Sequence, residues 1–119
     1  MTTQLTSGDL ISDRYSSALY DLALEKKVVD SVLENLISIK KLIDTNKELT
    51  LLILSPLISS KDKLEILLKL TLSINLNELT IIFLKVISNN KRFASLSLVI
   101  SQFIHINSVK RGNILADIT

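Results

Sequence analysis

Side chains that could carry out chemistry are scarce in this chain of 119 residues, which holds one His, two Gly and no Cys. Without Cys there is no thiol nucleophile, thiolate metal site or disulfide. His105 alone cannot supply a multi-histidine metal cluster, and two Gly leave no glycine-rich phosphate loop. No nucleophile–base pair and no paired carboxylates stand at a recognisable spacing. The sequence therefore argues against an enzyme and predicts neither a cofactor nor a metal.

Charged side chains are numerous but nearly balanced, with 14 Lys and Arg against 12 Asp and Glu. A nucleic-acid-binding protein more often carries a clustered excess of cations. Lys61, Lys63 and Lys69 are typical of a solvated helix face. The scatter of the cations argues against a nucleic-acid partner. The alternative function is nevertheless a small helical nucleic-acid-binding module, which would use Lys61, Lys63, Lys85, Lys91, Arg92, Lys110 and Arg111.

Apolar residues recur at helical spacing along most of the chain and predict an all-α fold. Six helices with short connections predict an antiparallel six-helix bundle over residues 9–112. A flexible N-terminal tail over 1–8 would precede the bundle, and 113–119 would begin a linker to an absent C-terminal domain. No apolar run approaches the roughly 20 residues of a membrane span. The expected helices start at Asp9 or Ser12 and end at Lys27, then cover about 28–45, 47–54, 59–72, 77–89 and 91–109.

Two of these helices, the first and the fifth, carry apolar residues on more of their circumference than one core covers. On the first helix, Tyr20 and Leu24 widen the apolar arc past half the circle. On the fifth, Ile82 and Val86 point roughly opposite to Leu84. Each helix is either wrapped by its own bundle or open on one side as a groove for an amphipathic partner helix. Periodicity alone leaves both interpretations open.

Residues 13–27 of the first helix read DRYSSALYDLALEKK. This segment resembles the opening helix of the delta subunit of F-type ATP synthases, called the oligomycin-sensitivity-conferring protein in mitochondria. That family typically opens with Arg-Tyr-Ala-x-Ala-Leu-(Tyr/Phe)-x-Leu-Ala, and Ser16 stands here in place of an alanine. The residues that match are Arg14, Tyr15, Ala18, Leu19, Tyr20, Leu22 and Ala23.

Two further segments follow in the order and at the spacing of the same family. SPLISSKDK, over 55–63, is similar to its Ser-Pro-x-Ile followed by a helix with an early lysine. FLKVISNNKRFASL, over 83–96, is similar to its Phe-Leu-x-Leu-Leu-x-x-Asn-x-Arg-Leu-x-x-Leu, with Asn90 and Arg92 in register. Ile82 departs from a frequent asparagine. The ending ADIT resembles the family's Ala-x-Val-Thr-Ser-Ala, where a smaller C-terminal domain begins.

The resemblance implies a non-catalytic stator component of the ATP synthase, peripheral on the cytoplasmic face of the bacterial inner membrane without inserting into it. The N-terminal domain of this family is a six-helix bundle atop the catalytic head. It holds the N-terminal helix of an alpha subunit in a groove between its first and fifth helices. The C-terminal domain grips the b subunit of the peripheral stalk, so that the head does not turn with the rotor during proton-driven ATP synthesis.

Carried over by position, the groove residues come from the first and the fifth helix. Phe83 and Leu22 have a core interpretation of equal weight, whereas Val86, Tyr15 and Ala18 favour the groove. A small side chain at Ala18 lets a partner backbone approach, and Tyr15 offers a rigid aromatic with a hydroxyl. The complete expected lining is Tyr15, Ala18, Leu22, Leu79, Ile82, Phe83 and Val86.

Overall fold

A computed structural model describes residues 7–110 of the chain, with side chains from residue 10 onward. Over this range the chain is helical, contains no strand, and confirms the predicted all-α class with six α-helices. The linker expected over 113–119, residues 1–6 of the expected tail and Arg111 lie outside the described residues. The helices are α1 (Ser7–Glu25), α2 (Val29–Thr45), α3 (Lys47–Leu54), α4 (Ser60–Leu70), α5 (Glu78–Asn89) and α6 (Leu96–Lys110), with 3₁₀ turns at Leu72–Ile74 and Phe93–Ser95.

Side-chain caps explain where three of the helices begin. At each of these N-termini a side-chain oxygen accepts a backbone N–H that has no partner within the helix. The caps are Asn46 for α3, Ser59 for α4 and Asn77 for α5, at 2.9–3.1 Å from the nitrogens of Leu49, Asp62 and Leu79. Pro56 follows the end of α3, and Ser55 before it is extended, as expected for a residue that precedes proline.

The C-termini of α1 and α5 are closed by the same left-handed turn. Lys27 and Lys91 have φ of 60° and 57°, where glycine is more usual. After each of them, a backbone N–H reaches back five residues, from Val28 to the carbonyl of Ala23 and from Arg92 to the carbonyl of Ile87, both at 2.9 Å. The sixth helix was expected from residue 91. The left-handed Lys91 delays it, so that a 3₁₀ turn precedes α6.

The core is built around α6, which packs against both α1 and α2. Periodicity left open which side of α1 meets the core, and the structure buries the side that also contains Leu19. This side contains the small side chains Ser12, Ser16 and Ala23, all fully buried. Tyr20, predicted to widen the apolar arc of α1, is also buried: its ring meets Phe103 of α6 edge-on at a centroid distance of 5.2 Å. Small residues at this face allow the two helices to approach closely.

The contacts between α1 and α6 also fix their relative direction. Ser16 lies beside Gln102, with their side-chain oxygens 3.5 Å apart, whereas Tyr20 donates to Oδ1 of Asn107 at 3.3 Å. Residue numbers therefore increase in the same direction along both helices, which means that α1 and α6 run parallel. This pair therefore departs from the predicted antiparallel order.

The pair α4 and α5 is antiparallel, because Ser88 in the last turn of α5 donates to the carbonyl of Ser60, the first residue of α4, at 3.1 Å. The start of α5 is tied to α2. Oδ1 of the buried Asn35 accepts from Thr80 Oγ1 at 3.0 Å and from the backbone nitrogen of Asn77 at 2.8 Å. These bonds fix how α5 is rotated about its own axis. None of the helices in the described range is long and apolar enough to cross a membrane.

The prediction that Lys63 lies on a solvated helix face was wrong. Its side chain is only 9% exposed, and its Nζ donates to the carbonyl of Ile53 at 2.8 Å. That carbonyl lies in the last turn of α3, where no backbone donor of the same helix is available. Lys63 therefore caps α3 from α4. It is unavailable to a nucleic-acid phosphate, which removes one member of the alternative cationic set.

We expect Lys63→Met to lower the free energy of unfolding by about 1–3 kcal/mol, because it leaves a buried carbonyl without a donor. Urea denaturation followed by circular dichroism measures the change. Lys61→Met, at an exposed position two residues earlier, is the matched control and should stay within about 0.5 kcal/mol of the parent chain. Equal effects of the two substitutions would contradict the capping role of Lys63.

Candidate functional site

One side of α1 remains uncovered by the rest of the fold. Its apolar residues Ile11, Tyr15, Ala18 and Leu22 follow one another at intervals of three and four, which places them in one line along the helix. We call this line the α1 stripe. Ile11 and Tyr15 are half-buried, Ala18 is exposed and Leu22 is 43% exposed. The stripe lies directly beside the buried face that packs on α6.

A cleft of about 420 Å³ opens along the first half of the α1 stripe. The turn after α5 closes its far side, because Arg92 reaches it. The sequence placed Arg92 in register with the family's motif and in the alternative cationic set, but not among the groove residues. The lining of this α1 cleft is Ile11, Arg14, Tyr15, Ala18 and Arg92.

On α5 the uncovered side is narrower. Ile82 and Val86 are 46% and 41% exposed, whereas Leu84 and Ile87 are fully buried. One side of α5 is therefore open, as the groove interpretation requires. We call Ile82 and Val86 the α5 stripe, and the two stripes together the docking surface.

The α5 stripe lines a second cleft, of about 570 Å³, between α4 and α5. Its walls combine aliphatic side chains with polar and cationic ones. The lining of this α4–α5 cleft is Ser60, Lys61, Leu64, Ile82, Lys85, Val86, Ser88, Asn89 and Lys91.

Two predicted groove residues lie at the margin of the core. Leu79 and Phe83 are each 5% exposed and belong to the main apolar cluster. Around the axis of α5 they follow directly after Val86, since successive residues turn by about 100°. They can offer a partner only a narrow edge, and most of their surface is already used within the fold.

The seven predicted groove residues thus fall into four groups. Tyr15 and Ala18 line the α1 cleft, while Ile82 and Val86 line the α4–α5 cleft. Leu22 extends the α1 stripe beyond Ala18, and Leu79 and Phe83 border the core. The turn after α5 lies between the two clefts, because Lys91 lines one of them and Arg92 the other. Over the described residues, α1 and α5 are not among the closely packed helix pairs.

The residues that line the two clefts have aliphatic, aromatic, uncharged polar or cationic side chains. Over the described part of the chain, no group of acidic residues or histidines is placed to hold a metal ion. An ion pair joins Lys40 and Asp44 of α2 at 2.9 Å, and it involves neither cleft. Exposed aliphatic side chains beside cationic ones suit a protein partner better than a small-molecule substrate.

The model of the ATP synthase delta (OSCP) subunit family matches residues 11–119. The chain belongs to this family. It is 36% identical over 118 residues to the ATP synthase subunit delta of Rhizobium leguminosarum bv. trifolii, which covers 99% of this chain and 62% of the relative. The corresponding subunits of Sinorhizobium fredii and Agrobacterium fabrum are 36% and 33% identical, with the same coverage. The chain therefore spans about three fifths of the curated relatives it matches.

Family membership supports the three sequence segments on which the resemblance rested, since all of them lie within the matched range. The structure adds a local reason for each segment. The first places the small buried residues of α1 against α6. The second contains Pro56, the Ser59 cap and Lys63, which together form the connection between α3 and α4. The third contains the left-handed turn that directs Arg92 to the α1 cleft.

We expect alanine substitutions to separate the core margin from the open stripe on α5. Phe83→Ala should lower the free energy of unfolding by about 3–5 kcal/mol, as for a buried aromatic. Val86→Ala should change it by no more than about 0.5 kcal/mol, because the valine is already exposed. Urea denaturation of both variants measures this contrast. A loss of more than about 2 kcal/mol at Val86 would assign that residue to the core.

Proposed function

We propose that the chain is the helical N-terminal part of an ATP synthase delta subunit and holds the N-terminal helix of an alpha subunit on the docking surface. The observation that carries the proposal is the exposure of Leu22, Ile82 and Val86, each above 40%. These residues lie on α1 and α5, which also contribute buried residues to the core. An amphipathic helix presents the complementary apolar stripe.

The role is mechanical, with no catalytic step in this chain. A static clamp needs contact area and shape, and the α1 stripe supplies both: Tyr15 offers an aromatic surface with a hydroxyl, and the methyl group of Ala18 leaves room for a partner backbone. Covering the exposed half of three aliphatic side chains contributes on the order of 2–4 kcal/mol. Micromolar binding requires about −8 kcal/mol, so Tyr15 and polar contacts must supply the rest.

The stator role also needs the part of the protein that the longer relatives possess. That part would grip the b subunit of the peripheral stalk, so that the clamp on the alpha subunit keeps the catalytic head from turning with the rotor. Torque balance of this kind is required for proton-driven ATP synthesis. The chain would then be peripheral on the cytoplasmic face of the bacterial inner membrane, attached through the complex and not inserted in the bilayer.

Calorimetric titration with a synthetic alpha-subunit N-terminal peptide tests the clamp. We expect micromolar or tighter binding by the parent chain, and its loss in Val86→Asp, because a carboxylate would be buried against the apolar face of the peptide. Val109→Asp is the matched control. It places the same charge at an exposed valine of α6 that lines neither cleft.

Circular dichroism of both aspartate variants separates binding from folding. Unchanged helicity with lost binding only in Val86→Asp supports the clamp. No binding by the parent chain at micromolar peptide, or the same loss in Val109→Asp, would rule out the docking surface. Loss of helicity in Val86→Asp would show that this side of α5 is not free.

A further inference from the structure

The charged residues that line the two clefts are all basic, although the chain as a whole is nearly neutral. The α1 cleft contains two arginines and the α4–α5 cleft three lysines, and the lining of neither includes Asp or Glu. The whole sequence holds 12 acidic residues against 14 basic ones. Two other clefts on the molecule do contain acids: one includes Asp30 beside Lys27, and the other includes Glu34. Among these four clefts, only the α1 cleft and the α4–α5 cleft are lined by basic residues without any acidic residue.

The two arginines belong to different elements and still meet at one cleft. Arg14 comes from α1, and Arg92 follows the left-handed Lys91 after α5. The backbone nitrogen of Arg92 is bonded to the carbonyl of Ile87, so the base of its side chain is fixed by the turn. Over the described residues, neither guanidinium forms an ion pair with a carboxylate. Both are exposed, so their donors are available to a partner.

Guanidinium groups recognise carboxylates with two parallel hydrogen bonds, which gives direction as well as attraction. Half-buried Tyr15 and Ile11 beside them shield such a contact from water, which strengthens it relative to a pair on open surface. On the far side of the turn, Lys61, Lys85 and Lys91 surround the α5 stripe as mobile point charges. We call these cations, which line the two clefts on either side of the turn after α5, the cationic rim.

Building on the proposed function, we propose that the docking surface selects a partner helix with an acidic flank, whose carboxylate is held by Arg14 and Arg92 beside the apolar stripe. The lysines of the α4–α5 cleft attract further acidic residues of the same helix. A nucleic acid fits less well, because aliphatic side chains occupy the centre of the surface and Tyr15 is the one aromatic among the residues lining these two clefts.

The test uses two synthetic peptides of about 20 residues, long enough for some five helical turns. The first is the N-terminal segment of the alpha subunit from the same complex, and the second has each Asp and Glu replaced by Asn and Gln. Both are titrated calorimetrically into the parent chain, Arg92→Gln, Arg92→Lys, the double variant Arg14→Gln/Arg92→Gln, and Lys41→Gln. Lys41 is exposed on α2 and lines neither cleft, which makes it the matched control.

We expect Arg92→Gln to weaken binding of the native peptide about tenfold, and the double variant to weaken it further. Lys41→Gln should leave it within about twofold, since it removes only a distant exposed charge. The neutral peptide should bind the parent chain at least about tenfold more weakly and should not distinguish it from Arg92→Gln. Arg92→Lys should fall between the parent and Arg92→Gln, because it keeps the charge and loses the paired hydrogen bonds.

The remaining outcomes are separable. Binding of the native peptide that is indifferent to both arginine substitutions, or equal binding of the two peptides, overturns the acidic-flank proposal and leaves the clamp intact. No binding of the native peptide to the parent chain overturns both proposals. Displacement of bound peptide by an equimolar RNA oligonucleotide would assign the cationic rim to nucleic acid instead. Sedimentation showing a dimer that Arg92→Gln dissociates would assign it to a second copy of the chain.

Discussion

Packing of α1 against α6 is the constraint on which the proposed docking surface depends. A helix has one circumference, and α1 uses the arc that contains Ser12, Ser16 and Ala23 for close approach to α6. Tyr20 completes this contact, with its ring on Phe103 and its hydroxyl on Asn107. Because these residues take the buried side, Tyr15, Ala18 and Leu22 are rotated outward. The apolar content of α1 therefore serves two surfaces, one inside the molecule and one outside.

A second constraint acts on α5 in the same way. Asn35 of α2 bonds the start of this helix, and Ser88 bonds the first residue of α4. With its rotation fixed at both ends, α5 directs Leu84 and Ile87 inward and leaves Ile82 and Val86 uncovered. The buried polar side chains that bond α5 to α2 and α4 thus determine which apolar residues of α5 are exposed. An arrangement held only by apolar contacts would have freedom to rotate these residues into the core.

Sequence patterns predicted the helices well, because periodicity, caps and Pro56 are local signals. The bounds of α3 were predicted correctly for this reason. The open sides of the first and fifth helices were visible as an excess of apolar positions, but periodicity could not choose which positions would be buried. Ser12 was expected only as a possible helix start and Ser16 only as a replacement for an alanine, yet their small size lets α1 pack closely on α6.

Residues whose role depends on a distant element could not be predicted from the sequence. Lys63 looks like any surface lysine until the end of α3 is placed beside it. Arg92 reaches the α1 cleft only because Lys91 adopts a conformation for which the sequence offers no glycine. The parallel direction of α1 and α6 was equally hidden, since alternation of direction is the simplest expectation for short connections.

That parallel direction has a consequence for how force passes through the molecule. Arg92, just before α6, meets the first half of α1, so the α1 cleft lies at the end of the molecule where both helices begin. The chain leaves α6 at Lys110, at the opposite end. If the cleft holds the proposed partner, a pull between that partner and the chain after Lys110 would act lengthwise along α6, over about 22 Å of continuous helix. Such a load would act parallel to the α1–α6 interface, so that all contacts along the two helices resist it together. It would not separate the helices one turn at a time.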